Sequence, residues 1–199
     1  MGWKRARELA VFGTVAPYRL PLDQLGEVLS FQVMPKSVMD VMREGDWEDV
    51  RAIYCEGIAT GQATFEEGAL SWSEWDGRHL QSCRLVARED DRVVGWAALS
   101  PVSERDCYRG VAEATFYVAA DHRGGGVGRA LGRALTRASE SEGIWTLQAM
   151  VFPENKASLA MLEESGFAVV GVRKLIGRHR GRWRDVILLE RRSRVVGVD

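Results

Sequence analysis

The chain has 199 residues, of which 46% are hydrophobic and 28% are charged; this composition is typical of a globular protein and excludes a disordered one. It contains no uncharged apolar run of about 18 residues, so the sequence predicts no membrane-spanning helix. Its three cysteines, Cys55, Cys83 and Cys107, lack the spacing of metal ligands. The N-terminus does not resemble a signal peptide, because Glu8 precedes its short apolar stretch. We therefore expect a soluble cytoplasmic protein with no disulfide, no bound metal and no membrane partner.

The net charge of −1 conceals a basic C-terminal region. Residues 173–199 carry nine Lys/Arg and three Asp/Glu, whereas residues 39–172 carry 13 Lys/Arg and 22 Asp/Glu. A basic region of this kind can face nucleic acid or a phosphorylated cofactor, or it can be a solvated hairpin.

The chain divides into a short extension and one folded domain. Residues 1–36 show no sustained helical or strand period and include three prolines, so we interpret them as an extension outside the core fold. The predicted elements after it are a strand over 38–42, a helix N-capped by Asp46, a loop over 60–70, a Trp-rich helix over 70–80, strands over 84–88, 93–99 and 111–118, a helix from 127, a strand over 145–151, a helix over 155–165, and strands over 167–176 and 183–189. Strands interleaved with helices in this order predict an α/β fold with a mixed sheet flanked by helices.

A glycine-rich segment, Arg123 to Arg129, joins a predicted strand to a predicted helix. Successive glycines allow backbone N–H groups to converge, and a helix N-terminus adds partial positive charge, so the segment is suited to bind phosphate. It is not a dinucleotide fingerprint, because Arg129 or Leu131 stands where the third glycine is required. It is not a P-loop either, because Arg129-Ala130 follows Gly128. A connector that binds no ligand is the alternative interpretation.

Motifs around this segment resemble those of the GNAT superfamily of acetyl-CoA-dependent N-acetyltransferases. They are Tyr117-Val118, Arg123-x-x-Gly126-x-Gly128, Asn155-x-x-Ser158 and Gly166-Phe167. Three further segments, Ala63 to Glu66, Ala112 to Val118 and Gly181 to Asp185, resemble the phosphinothricin (methionine sulfoximine) N-acetyltransferase family. The resemblance covers residues 37–191 and leaves 192–199 as a C-terminal tail. It implies a GNAT-like fold with a mostly antiparallel central sheet, acetyl-CoA as co-substrate, a small amino-acid-like amine as acceptor, and a homodimer.

The resemblance also implies a cofactor site. In that superfamily the backbone of the glycine-rich loop binds the pyrophosphate of CoA, and pantetheine lies between two splayed strands. Val118 would donate its N–H to the thioester carbonyl and stabilise the oxyanion. Asn155 and Ser158 would contact pantetheine or the adenylate side, although Asn155 is equally suited to cap a helix. The implied cofactor-binding residues are Phe116, Tyr117, Val118, Arg123, Gly124, Gly125, Gly126, Val127, Gly128, Arg129, Asn155 and Ser158.

Glu113 is the predicted general base. Strand alternation places it on one face with Thr115 and Tyr117. A carboxylate in a mostly apolar strand is costly to bury unless it has a partner or a function, and a carboxylate can accept the proton of a substrate ammonium. The alternative is a glutamate that faces solvent or pairs with an arginine. Tyr117 is a candidate proton donor to the CoA thiolate, or a packing residue.

The predicted acceptor-binding residues are Phe65, Arg105, Tyr108 and Glu113, and Arg105 would bind the acceptor carboxylate. Arg105 can alternatively be a solvated loop residue. The chain departs from the family at His179-Arg180, where Lys and an aromatic residue or His are usual, and at Leu162, where His is common. His79 is interpreted as a surface residue.

Two other functions remain open at this point. One is acetylation of protein N-termini or lysines on the same scaffold. The other is a nucleic-acid-binding module that uses the basic hairpin, although no aromatic platform or DNA-binding motif accompanies its arginines.

Overall fold

A computed structural model describes residues 37–198. The predicted extension over 1–36 therefore lies outside the described residues. The strands are β1 (Val38–Val41), β2 (Leu85–Glu89), β3 (Arg92–Pro101), β4 (Val111–Val118), β5 (Thr146–Val151), β6 (Ala168–His179) and β7 (Arg182–Arg192). The α-helices are α1 (Trp47–Ala59), α2 (Trp72–Arg78), α3 (Val127–Ser141) and α4 (Lys156–Glu164), and short 3₁₀ helices span Glu44–Asp46, Asp106–Tyr108 and Ala120–His122. No helix within 37–198 is long and apolar enough to cross a membrane.

The seven strands form one sheet in the order β1-β2-β3-β4-β5-β7-β6. Every neighbouring pair is antiparallel except β4 and β5, which are parallel. The predicted class, a mixed and mostly antiparallel sheet flanked by helices, is confirmed. The last two strands extend beyond their predicted ends, because they pair through a hairpin closed by Arg180 and Gly181.

The parallel joint between β4 and β5 is short. It covers only the pairs from Val111–Thr146 to Glu113–Gln148, although β4 continues to Val118 and β5 continues alongside β7 to Val151. The two strands therefore diverge after Glu113, which opens a gap in the middle of the sheet.

Each face of the sheet carries its own hydrophobic core. Leu131 and Leu135 of α3 and Leu162 of α4 pack on one face. The other face packs α1 and α2 against Trp96. The predicted apolar stripe of α1, residues Val50, Ile53, Tyr54 and Ile58, is buried in this second core as its helical spacing requires.

The predicted N-cap of α1 is correct in position and wrong in contact. Asp46 precedes the helix, but its side chain accepts no hydrogen bond from it. Its carboxylate instead accepts two hydrogen bonds from Arg88 of β2, both 2.8 Å, and one from the Arg43 N–H. A hydrogen bond from a charged guanidinium is stronger than one from a neutral backbone amide. The pair formed by Asp46 and Arg88 therefore links the start of α1 to β2 of the sheet.

Candidate active site

A cavity of about 970 Å³ lies where β4 and β5 diverge. The loop after α1, the end of α2, the start of α3, α4 and β6 enclose it. Glu113 lines this cavity together with the glycine-rich loop, so the predicted base and the predicted phosphate-binding segment share one space.

The end of β4 directs backbone groups into the gap. The Ala119 N–H donates to the Val94 carbonyl at 3.0 Å, and Gly95 lies opposite Val118. Because successive residues of a strand point their N–H groups to opposite sides, Phe116 and Val118 direct theirs away from β3, where β5 has already diverged. The Val118 carbonyl accepts a bond from Arg123 Nε at 3.0 Å. The register thus leaves the Val118 N–H free of a strand partner, as an oxyanion donor requires.

The glycine-rich loop leads into a helix start with unpaired N–H groups, although the Gly125 N–H itself donates to the His122 carbonyl at 3.4 Å. Gly124 and Gly126 have φ values of +77° and +87°, in the left-handed region that favours glycine. Gly126 caps α3 without a side chain, and the first helical bond runs from the Ala130 N–H to the Gly126 carbonyl at 3.0 Å. The N–H groups of the first helical turn are therefore available, and no acidic residue lies in that turn. This arrangement favours an anion.

The two arginines that flank the loop are held by the protein. Arg129 forms an ion pair with Glu164 of α4, with Nη2 donating to Oε1 at 3.0 Å. Arg123 bonds Val118 and lies 3.9 Å from Glu56. Both line the cavity, so they position the loop and contribute charge that glutamates partly neutralise.

Asn155 and Ser158 lie beside this loop. Asn155 Oδ1 accepts the Ser158 N–H at 3.2 Å and so caps α4, while its Nδ2 donates to the Gln62 carbonyl at 3.3 Å. Asn155 therefore has the capping role, and both residues also line the cavity. Their contact with CoA stays a prediction.

Glu113 is half-buried and has no salt-bridge partner within 4 Å among residues 37–198. Burial raises the pKa of its carboxyl above the ordinary value, and the charge of Arg173 partly opposes this. A carboxylate with a raised pKa accepts a proton more readily than an exposed one.

Tyr117 is enclosed by aromatic rings. It stacks on Trp96 with centroids 4.9 Å apart and meets the edge of Tyr54 at the same distance. Burial raises the pKa of its phenol, which keeps the hydroxyl protonated at neutral pH. Gly57 of α1 lies directly against this ring and leaves no room for a Cβ. Sequence reasoning missed Gly57, because a glycine within a helix gives no sign of the residue that it contacts.

The end of the cavity that contains Glu113 includes residues that the sequence motifs did not indicate. Arg78 bridges to Glu66 at 3.4 Å. The interpretation of His79 as a surface residue is wrong: the ring stacks on Trp75 at 4.1 Å, its Nδ1 lies 2.6 Å from the Trp75 carbonyl, and it lines the cavity. Burial lowers the pKa of this imidazole. Ser100 and Arg173 also line this side, and Ser100 lies directly opposite Glu113.

The structure separates the predicted acceptor residues. Phe65 lines the cavity, with its ring 4.8 Å from that of Phe152. Arg105 and Tyr108 do not line it; both are exposed at the 3₁₀ helix before β4, with the Arg105 guanidinium 5.5 Å from the Tyr108 ring. His179, where the family usually has lysine, is buried beside Phe65 and Phe152.

Arginines of the basic hairpin contact the chain itself. Arg180 donates to the Ile58 carbonyl at 3.0 Å, and Arg184 donates to the Gly61 carbonyl at 3.2 Å and to Glu154 at 3.0 Å. These contacts hold the loop after α1 over the cavity, and they give the basic region a function within the fold.

Comparison of the chain with known families, proteins and structures agrees with this geometry. The model of the acetyltransferase (GNAT) family matches residues 47–167. The chain belongs to the GNAT family. This membership confirms the predicted enzyme class, an acetyl-CoA-dependent N-acetyltransferase.

Several GNAT relatives resemble the chain over most of its length. A phosphinothricin N-acetyltransferase of Alcaligenes faecalis is 35% identical over 76% of this chain and 80% of its own. A methionine sulfoximine/methionine sulfone acetyltransferase of Pseudomonas aeruginosa is 26% identical over 73% and 88%. A phosphinothricin acetyltransferase of Sinorhizobium meliloti, solved in complex with acetyl-CoA, superposes with a TM-score of 0.72 at 28% identity, over 79% of this chain and 88% of that one.

Proposed function

We propose that this enzyme transfers the acetyl group of acetyl-CoA to the primary amine of a small amino-acid-like acceptor of the phosphinothricin or methionine sulfoximine type. The observation that carries the proposal is the position of Glu113, which lines the same cavity as the glycine-rich loop and the free end of β4. The names of the relatives support the acceptor class.

Transfer would occur by direct attack. Glu113 accepts a proton from the acceptor ammonium, and the freed nitrogen lone pair attacks the thioester carbonyl carbon. The Val118 N–H donates a hydrogen bond to the carbonyl oxygen as it gains negative charge. When the C–S bond breaks, the cationic nitrogen of the intermediate loses its remaining extra proton to give the neutral amide. The departing thiolate takes a proton, and the protonated phenol of Tyr117 is a candidate donor. No acetyl-enzyme is required.

A panel of acceptors tests the proposal. Purified enzyme with acetyl-CoA should acetylate L-phosphinothricin, methionine sulfoximine or methionine sulfone, detected as thiol release and as the N-acetyl product by mass spectrometry. Alanine-terminated peptides with amidated carboxyl ends provide the comparison. Efficient acetylation of the peptides, with none of the amino-acid analogues, would overturn the proposed acceptor class.

Protein N-terminal acetylation is the second candidate, and one neighbour favours it. A ribosomal-protein-alanine N-acetyltransferase of Brucella melitensis superposes with a TM-score of 0.71 at 28% identity over 78% of this chain and 99% of that one. The same panel separates the two candidates, because only a protein acetyltransferase should prefer the peptides.

We also propose a homodimer. β6 is an edge strand with five exposed apolar side chains, and such a strand pairs readily with a second copy. They are Val169, Val170, Val172, Leu175 and Ile176. Light scattering should give about twice the chain mass of 22.2 kDa, and a monomer at micromolar concentration would refute this.

A cytoplasmic location is proposed as well. Cys55, Cys83 and Cys107 are all unpaired, and Cys55 and Cys107 are exposed, which fits a reducing compartment. Fractionation of the producing cell, with the enzyme expected in the cytoplasmic fraction, tests this location.

A further inference from the structure

Four arginines line the cavity, and one of them differs from the others. Arg78, Arg123 and Arg129 each have a glutamate within 4 Å, namely Glu66, Glu56 and Glu164. Arg173 of β6 has no carboxylate within that distance among residues 37–198. Its guanidinium contacts a neutral thioether, with Nη1 3.4 Å from Met150 Sδ. It therefore brings an uncompensated positive charge to the cavity wall.

The sheet register places this charge beside the predicted base. Gln148 lies opposite Glu113, and Met150 follows two residues later on β5. Residues two apart in a strand share a face, so Glu113 and the Met150 side chain that Arg173 contacts lie on the same face. A second carboxylate lies nearby, because Glu190 of β7 is opposite Gln148. It is already paired, since it accepts a hydrogen bond from the Gln148 amide at 2.9 Å.

The arrangement suits an α-amino acid, whose amine and carboxylate both need a charged partner. In an α-amino acid the amine nitrogen and the carboxyl carbon are only two bonds of ~1.5 Å apart. A carboxylate and a guanidinium that line one cavity on the same face of the sheet can therefore bind the two groups of one molecule.

We propose that Arg173 binds the α-carboxylate of the acceptor while the amine faces Glu113. This inference rests on the proposed function and deepens it. A planar guanidinium can hold a carboxylate through two parallel hydrogen bonds, which fixes the direction of the amine. Arg173, which lines the cavity, thus takes the role that the family resemblance implies for Arg105, which lies outside the cavity.

Kinetics with methionine sulfoximine and its carboxamide test the assignment in the full chain. The wild type should prefer the acid. Arg173→Gln should raise KM for the acid by roughly 10- to 100-fold with kcat nearly unchanged, and should leave the carboxamide unaffected. Arg173→Lys should recover part of the loss. Arg105→Gln is the matched control and should keep the preference for the acid.

Two results would overturn the inference: an equal penalty on acid and amide in Arg173→Gln, or loss of the acid preference in Arg105→Gln. A binding measurement separates its failure from that of the proposed function. With CoA present, methionine sulfoximine should raise the melting temperature of the wild type but not of Arg173→Gln, even if turnover were absent. No acid-specific shift in the wild type would also refute the role of Arg173.

Discussion

Glu113 combines partial burial with access to the cavity, and its chemistry can be tested by a change of one atom. Glu113→Gln keeps the size and removes the proton acceptor, so turnover near pH 7 should fall by roughly 10²- to 10⁴-fold. Burial raises the pKa of this carboxyl. As pH falls, the active, deprotonated form is therefore lost at a higher pH than for an ordinary glutamate. The wild-type rate should therefore show an acidic limb set by this carboxyl, whereas the rate of Glu113→Gln should keep rising at high pH, because only acceptor that has already lost its proton can then attack.

The matched control is Glu48→Gln, at an exposed position on α1. It should keep both the rate and the pH profile of the wild type. Rates for Glu113→Gln within twofold of the wild type across pH 6–9, with chemistry limiting, would exclude Glu113 as the base.

The stability of the protein should depend on pH in opposite ways through His79 and His122. Burial lowers the pKa of His79, so below about pH 6.5, the ordinary value, the unfolded chain binds more protons and stability falls. His122 bonds Asp121 and Glu89, which raise its pKa; its contribution is present below the unfolded pKa and is lost as pH rises through the folded one.

Melting temperatures at pH 7.5 and 5.5 check this pair. Relative to the wild type, His79→Gln should lose less stability on acidification, and His122→Gln should lose more. The same change in both variants would contradict the assignment.

The sequence predicts residue positions where the pattern is local. Alternation along one strand places Glu113 and Tyr117 on a common face. The same reasoning missed His79 and Arg173, because their surroundings depend on α2 reaching β3 and on β6 reaching across to Met150, and no periodicity records such contacts.

At the scale of elements, the loop that opens α3 is the part that we propose binds the pyrophosphate of CoA. Gly126 has a φ of +87°, a conformation that a β-branched residue adopts only with strain. Gly126→Val should weaken CoA binding at least tenfold while the protein stays folded. Gly68→Val, in a loop glycine with open space around it, is the control. Unchanged CoA affinity by calorimetry in Gly126→Val would remove the loop from the cofactor site.

The contact between α1 and β4 is a second element-scale test. A Cβ at Gly57 would collide with the Tyr117 ring, so Gly57→Ala should lower the free energy of unfolding by about 1–3 kcal/mol. Gly77→Ala on α2 has nothing within 4 Å and should instead stabilise the protein by up to ~1 kcal/mol. Equal effects in urea denaturation would show that the collision is relieved without cost.

Helical spacing and apolar runs were enough to predict the order of elements, including α3 after the glycine-rich loop and α4 after Asn155. The divergence of β4 from β5 followed from the family resemblance and not from the pattern, because pairing between strands far apart in sequence leaves no local signal. Asp46 shows a related limit: its position before α1 is local, but its partner Arg88 is 42 residues away.

At the scale of the whole molecule, one short parallel joint determines where the chemistry can occur. The sheet is antiparallel on both sides of β4 and β5, and the gap between them brings the proposed base Glu113, the free Val118 N–H and the start of α3 to one cavity. Arg180 and Arg184 of the basic hairpin bind the end of α1 and the loop after it, and residues of that loop line the cavity. Direct attack therefore requires both substrates to occupy the cavity together before acetyl transfer begins.

Thiol release by the wild-type enzyme, measured with acetyl-CoA alone and then with methionine sulfoximine added, distinguishes direct attack from an acetyl-enzyme. Thiol should appear at a catalytic rate only when the amine is present, with one N-acetyl product formed per thiol. A burst of one thiol per enzyme with acetyl-CoA alone, leaving the acetyl group on the protein, would contradict direct attack.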